Sequence, residues 1–353
     1  MTPPRKRSPR PPPVGRPPTQ RELAAALGLS PATISLVLKG DTSVGISAET
    51  QERVRAKARE LGYRPNFLAR SLRTRRTYSV GVMIPGVSQG YNVLVLQGIE
   101  DGLAAQGYFH YVASHYLQPE RVEQYAAGFT DRGADGLVVV SAPWERRLPI
   151  PVATVSCHHA VKGTTSVVLD HGTAALLALR HLVELGHRRI AFIKGTPEVP
   201  DTDVRWRATV AAARKLGLTI APRLVEPIVM PSSTAQLGYD VTNKLLAAGE
   251  RFTALFAFND VSAIGAIHAL EAQGHRVPGD ISVVGFDDIE SAGYMGPGLT
   301  TIRQPLQEMG RIAAEAVLRK IGRPEEEWAG EVERIVVAPE LVVRETTGPA
   351  AAP

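Results

Sequence analysis

Cysteine is almost missing from this chain: Cys157 is the only one in 353 residues. A lone thiol excludes an internal disulfide and an all-cysteine zinc site. No apolar run approaches the roughly 18–20 residues that span a bilayer, so no membrane partner is expected. The opening MTPPRKRSPRPPP is charged but has no apolar segment, so no secretory signal is expected. The nine histidines include no HExxH pair and no cysteine partner at zinc spacing. His158 and His159 read as loop neighbours pointing different ways, not as ligands. With no P-loop and no G-x-G-x-x-G turn, neither a cofactor nor a metal is expected. Hydrophobics at 44% and charged residues at 21% rule out a wholly disordered chain. The length predicts two or three domains, and the whole fits a cytoplasmic protein.

What is present is a charge asymmetry. Residues 1–77 hold 16 Lys+Arg and 5 Asp+Glu, a net of +11, against an overall net of +5. The remainder is therefore −6. A basic head on an acidic body suggests nucleic-acid binding; a solvated basic tail is the plainer alternative. Residues 1–18, rich in Pro and Arg, read as a disordered basic tail.

From Thr19 the pattern becomes helical. Thr19 and Glu22 form a capping box. Leu23, Ala24 and Leu27 share one face, and Gly28 suits a left-handed C-terminal cap. Ser30 can cap a second helix that starts at Pro31. Ile34, Val37 and Leu38 form its inward stripe, and Gly40 ends it. Two short helices joined by a tight turn make the helix-turn-helix pattern. Such hairpins also occur as plain structure; the charge asymmetry favours double-stranded DNA as the partner. A third helix is capped by Ser47, carries Val54, Ala58 and Leu61 on one face, and ends at Gly62. Arg53, Arg55, Lys57 and Arg59 cover its other sides. After Pro65, residues 66–73 make about two helical turns, too few to hold alone. That basic segment, with Leu68 and Leu72, needs a partner to order it.

Beyond Thr77 short apolar strands alternate with helices, as in Ser79–Ile84, Gly136–Val140, Val152–Val155 and residues 281–285. Such alternation predicts an α/β body of parallel sheets covered by helices, in two lobes. Ligands of such sheets sit beyond the carboxyl ends of strands. That rule points to Tyr91 and Asn92, Ser141 and Trp144, Asp170, Asn259 and Asp260, and Asp287. Arg205 lies where the chain enters a helix after strand 190–193. Helix capping competes for Asn259 and is favoured for Asp260; one of Asp287 and Asp288 reads as structural. Trp144 and Trp206 can be cleft or packing residues.

The text LAAALGLSPATISLVLKG, followed by SAETQERVRAKARELGYRPNFLARSLRT, resembles the DNA-binding head of the lactose/galactose-repressor (LacI/GalR) family. The stretches HLVELGHRRIAFIKG, FTALFAFNDVSAIGAIHALEAQGHRVPGDISVVGFDDIESAGYMGPGLTTIRQP and PELVVRET resemble that family's body. The resemblance runs from about Thr19 to Thr346. It implies a small all-α head on a two-lobed, periplasmic-binding-protein-like body. The domains it implies are a helix-turn-helix at 19–64, a hinge helix and linker at 65–77, and an effector and dimerisation body at 78–346. Residues 347–353 form a tail. Lobe 1 would take about 78–170 and 303–334, and lobe 2 about 171–302 and 335–346, with chain crossings near 170, 302 and 335. The implied DNA contacts are Thr19, Ser30, Pro31, Ala32, Thr33, Ser35 and Leu36 in the head. In the hinge they are Asn66, Ala69, Arg70, Leu72 and Arg73, with Leu72 wedged between base steps. The implied effector contacts are Tyr91, Arg205, Asn259 and Asp287, to which the strand-end rule adds Asn92, Ser141 and Asp170. The implied partners are a pseudo-palindromic operator, a small molecule (a sugar, or a purine or nucleoside) and a second copy of the chain. One departure stands out. Pro31, Ala32 and Leu36 offer no hydrogen bond to bases, so thymine-methyl contacts and DNA deformability would carry specificity.

Two other readings compete. Gly86-Val-Ser88-Gln-Gly90 matches the G-x-S-x-G turn of serine hydrolases. However, its strand opens the domain, and no oxyanion loop precedes it. A solute-binding protein without DNA shares the body fold, but the attached basic head counts against it.

Overall fold

The computed structural model describes residues 18–39, 45–63, 71, 74, 76–87, 90–229 and 235–350. The chain divides into two compact units, Met1–Thr77 and Tyr78–Pro353.

Among the described residues the first unit contains α1 (Gln20–Leu27), α2 (Pro31–Lys39) and α3 (Ala48–Glu60). Its core is small. Leu23, Ala24, Ile34, Val37, Val54 and Ala58 are buried together. Each helix start is fixed by a side chain. Thr19 and Glu22 close a reciprocal capping box, and Ser47 accepts from the Thr50 amide. Ser30 Oγ accepts from the Thr33 amide at 3.1 Å. Gly28 ends α1 at φ 66°, a left-handed conformation that side chains resist. The turn between α1 and α2 is therefore set by one glycine and one serine.

The body holds two six-stranded sheets. The chain supplies β1 (Ser79–Ile84), α4 (Tyr91–Ala104), β2 (Phe109–Ser114), α5 (Pro119–Asp131), β3 (Gly136–Val140), β4 (Val152–Val155) and β5 (Thr164–Leu169). Next come α6 (His171–Glu184), β6 (Ile190–Lys194), α7 (Asp201–Lys215), β7 (Val225–Pro227), α8 (Ala235–Ala247), β8 (Ala254–Phe256) and α9 (Asp260–Ala272). Then follow β9 (Ser282–Asp287), α10 (Glu290–Tyr294), β10 (Thr300–Arg303) and α11 (Leu306–Lys320). Last are α12 (Glu325–Trp328), β11 (Glu333–Val337) and β12 (Glu340–Val342).

The first sheet runs β11-β5-β4-β3-β1-β2 and the second β12-β10-β9-β8-β6-β7. Every pairing is parallel except β10 with β12, which is antiparallel. The central strands are buried throughout, so both faces must be apolar; Leu-Val-Val-Val in β3 and Val-Val in β9 meet that demand.

The chain passes between the sheets three times: at Asp170, at Gln304–Pro305 and at Ala338–Pro339. The third crossing lies later than the expected 335. Ile335, Val336 and Val337 belong to β11, which pairs in parallel with β5. The strand cannot end at 335, because stopping there would strip Val168 and Leu169 of their ladder partners.

Each lobe contains a helix pair packed at backbone contact. A Cβ on Gly98 of α4 would lie 1.8 Å from the Gln307 carbonyl oxygen of α11, and one on Gly310 would lie 2.1 Å from that of Val95. In the second lobe, Gly265 of α9 faces the Ala235 carbonyl oxygen, and Gly238 of α8 faces that of Ser262. Gly98→Ala should therefore destabilise the protein by about 1–3 kcal/mol, because the neighbour is rigid backbone. Chemical denaturation checks this; a variant as stable as the parent would show that the helices slide apart freely.

Candidate functional site

The carboxyl ends of both sheets face one cleft. From the first lobe comes Tyr91, at the start of α4, whose hydroxyl lies 2.6 Å from Ser156 Oγ. Ser141 and Ser156 follow β3 and β4 and adopt left-handed backbone, at φ 49° and 60°. Burial raises the Tyr91 phenol well above its ordinary value, and Asp201 adds to the effect. His158 comes from the loop after β4.

From the second lobe comes a chain of buried charge. Asp201 opens α7 and Arg205 stands one turn later, so helical spacing puts both on one face. Their side chains approach to 3.6 Å. The Arg205 guanidinium is packed against aromatics, 3.7 Å from the centroid of Phe286 and 4.5 Å from that of Phe258. One of its nitrogens donates to the Phe258 carbonyl at 2.5 Å, while Nε has no hydrogen-bond partner. Asp201 also receives His158 Nε2 at 2.6 Å from the opposite lobe, and His171 Nε2 lies 3.4 Å away. Burial pushes the Asp201 carboxyl up. His171, His158 and Arg205 outweigh it and hold the group far below the usual carboxylate range. Burial also lowers His171.

Asp287 ends β9 with φ 116°, a conformation a side chain rarely takes. Its carboxylate is buried and accepts from Gln304 Nε2 at 2.6 Å. Gln304 sits on the second lobe crossing, and its Oε1 is buried without a partner.

The remaining residues have local tasks. Asn259 caps α9: its side chain accepts from the Ser262 amide and Ser262 answers in kind. The capping role expected for Asp260 thus belongs to Asn259. Asp260, at the first position of α9, is fully buried and accepts from Thr301 Oγ1 at 2.5 Å and the Ile289 amide at 2.9 Å. Gly285 makes room for it, since a Cβ there would lie 2.2 Å from Asp260 Oδ1. Asp288 is the structural one of its pair, bound by Arg303 and Arg344 at 2.7 and 2.6 Å. Asp170 caps α6, accepting from the Thr173 amide and hydroxyl. Asn92 Nδ2 donates to the Gly86 carbonyl at 3.2 Å and so braces its own loop. Trp144 is core, with an unpartnered Nε1. Trp206 lines a small open pocket beside α7, edge-on to Phe192.

Sequence reasoning brought Tyr91, Ser141, Arg205 and Asp287 to this cleft. It missed Asp201, His171, Ser156 and Gln304. His158 lies in a loop, as expected, and from there its ring reaches Asp201. The signal for Asp201 was its spacing four residues before Arg205 in the same helix.

In the head, Pro31 and Ala32 are exposed on α2, and Thr33, Ser35 and Leu36 are partly exposed. Thr33 Oγ1 lies 2.9 Å from Ser30 Oγ, and Thr19 is engaged with Glu22, so these hydroxyls already have local partners. The basic face of α3 is partly neutralised: Arg59 meets Glu52 at 2.7 Å and Lys57 meets Glu60 at 2.5 Å. Asn66, Ala69, Arg70, Leu72 and Arg73 lie outside the described residues, as does Ser88.

Residues 19–66 match the family model described as bacterial regulatory proteins, lacI family, and residues 179–347 match a periplasmic binding protein-like domain. The HTH-type transcriptional repressor PurR of Haemophilus influenzae is 31% identical over 336 residues, covering 93% of this chain and 98% of that protein. The chain belongs to the lacI family of bacterial regulatory proteins. The ribose operon repressor of the same organism is 28% identical, covering 93% of this chain and 98% of its own. Among solved structures, the Lac repressor dimer bound to operator and the anti-inducer ONPF superposes with a TM-score of 0.80. It is 23% identical and covers 94% of this chain and 100% of its own. This lacI-family membership removes the hydrolase reading of Gly86–Gly90, because these homologues are repressors and not enzymes. Among the described residues, no single helix is long and apolar enough to cross a membrane.

Burial pushes the Asp287 carboxyl up to about 7, with Arg205 and Gln304 acting in the other direction. The folded lacI-family chain then holds a proton between the ordinary value of 3.8 and about 7 that the unfolded chain has lost. The resulting stabilisation is full at low pH and fades as pH rises through about 7. Asp287→Asn should therefore flatten the decline in melting temperature over that window. An unchanged slope would assign the decline to other groups.

Proposed function

We propose that this chain is a homodimeric, cytoplasmic repressor of transcription that binds a pseudo-palindromic operator in duplex DNA under control of a small molecule held between its lobes. The carrying observation is the joining of a helix-turn-helix head to a two-lobed body whose cleft holds a buried Asp201–Arg205–Asp287 arrangement. Membership of the lacI family supports both halves of the reading. The exposed faces of α2 supply Ala32, Ser35 and Leu36 to the major groove. Apolar groups there suit thymine methyls, and Ser35 is the polar reader with no local task assigned above. Asn66, Ala69, Arg70, Leu72 and Arg73 act as the hinge, with Leu72 the wedge and the arginines on phosphates.

In the cleft, Tyr91, Ser141, Arg205 and Asp287 form the effector contacts. Paired guanidinium and carboxylate groups suit a ligand rich in hydroxyls or ring nitrogens. A sugar is favoured, since relatives include a ribose operon repressor and a transcriptional regulator, CelR, in complex with cellobiose, 27% identical at TM-score 0.68. A purine is the second choice, on the PurR relatives. Asn259 contributes its amide nitrogen, its oxygen being taken by the cap. Asp170 and Asn92 act at one remove by holding the crossing and the loop. Self-association is supported by the edge strand β2, where Phe109, Tyr111 and Val112 are 62%, 51% and 41% exposed. Two-fold pairing of the bodies presents two heads to two half-sites.

Ligand binding shifts the lobes about their three crossings and changes the spacing of the hinges. A coupling of about 1–3 kcal/mol alters operator affinity about 5–150-fold. Asp287→Ala should abolish the response to effector while leaving operator affinity within about twofold in gel-shift titration. A retained response would exclude this residue from the site. Leu72→Ala should weaken operator binding more than binding to random duplex, and operator affinity should fall steeply with salt. Equal losses, or a flat salt dependence, would overturn the proposed DNA-binding mode.

A further inference from the structure

The cleft also gathers three metal-ligating side chains that are not among the effector contacts proposed above. His158, His171 and Asp201 bring three donor atoms within 4.8 Å of one another. His158 belongs to the first lobe, and the other two begin helices of the second. Asp201 Oδ1 is the shared point, at 2.6 Å from His158 Nε2 and 3.4 Å from His171 Nε2. Both nitrogens of the buried His171 lack a hydrogen-bond partner, although its side chain is only 3% exposed. A buried imidazole with neither nitrogen satisfied calls for a further partner.

We propose that His158, His171 and Asp201 form a divalent transition-metal site of the zinc class that bridges the two lobes. Two imidazoles and one carboxylate are the donor set that zinc takes when it keeps a position open. Bonds of about 2.0–2.1 Å at tetrahedral angles separate donors by about 3.3 Å. The His171 contact already has that separation. The His158 contact must open by a fraction of an ångström, a movement its loop between β4 and β5 can supply. Arg205 approaches the other oxygen of Asp201 at 3.6 Å and would orient the carboxylate from outside the metal shell. Neither Nδ1 has a hydrogen-bond partner, so the outer support that tightens such sites is missing. Affinity should therefore be micromolar, about 10–100-fold weaker than a supported site. Because the donors come from both lobes, the ion ties one lobe to the other; its effect on operator binding rests on the repressor reading.

The test uses the untagged, chelator-washed full chain. Titration calorimetry with zinc chloride should give one ion per chain. The cobalt(II) form should show the visible absorption of a tetrahedral nitrogen and oxygen site. His158→Asn and His171→Asn should each weaken zinc binding at least about tenfold. His159→Asn, altering an exposed residue beside Glu145, should leave binding unchanged. Far-ultraviolet circular dichroism of each variant excludes misfolding. No saturable binding in the wild type, or equal affinity in a folded His171→Asn variant, would overturn the site. Gel shifts on the same samples without metal separate the two ideas. Zinc binding without any operator preference would refute the repressor and leave the metal site standing; operator preference without zinc binding would do the reverse.

Discussion

Three passages of a single chain between two parallel sheets are the constraint from which the rest follows. Because strands of both sheets end toward the same gap, polar groups placed at strand ends have no choice but to meet there. The crossings also take part in the site. The Asp170 amide donates to the Val337 carbonyl at the end of β11, just before the last crossing, which ties first and third together, while Gln304 on the second donates to Asp287. Any movement of one lobe about these strands must disturb the carboxylate of Asp287. The crossings and the buried carboxylate of Asp287 are thus mechanically joined.

The cleft is organised by charge that is almost fully out of water. Arg205 lies flat against two phenylalanine rings and next to Asp201, so its charge is compensated on one side and packed on the others. Desolvated charges of this kind are costly to leave unmatched. Hydroxyl or ring-nitrogen groups entering the cleft supply matching partners, whereas an apolar molecule would strand them. The proposed preference for polar ligands rests on this desolvated charge.

Much of this was legible in the sequence, for physical reasons that differ by region. The head could be read because capping and helix ends are local: Thr19, Glu22 and Gly28 fix their backbone within four residues of chain. The alternation of sheet and helix was legible because fully buried strands must be apolar on both faces. Arg205, Tyr91 and Asp287 were found at strand and helix ends by the carboxyl-end rule. The misses share one cause. His158 and Asp201 are 43 residues apart in sequence, and only the crossing at Asp170 brings them together. Gln304 went unnoticed because nothing local shows that its amide turns back on Asp287. The place of the last crossing follows from the pairing of β11 with β5, which nothing local in Ile335, Val336 and Val337 shows.

The glycine-to-carbonyl contacts of α4 with α11 and of α8 with α9 bear on how such a protein can change over time. Helices seated on each other's backbone cannot shift register by one residue without collision, so each lobe is locked as a keel. Change is then easier in the loops at the strand ends, where Ser141, Ser156 and Asp287 already occupy unusual backbone conformations. The keel fixes the frame, and variation is channelled to the loops that leave it.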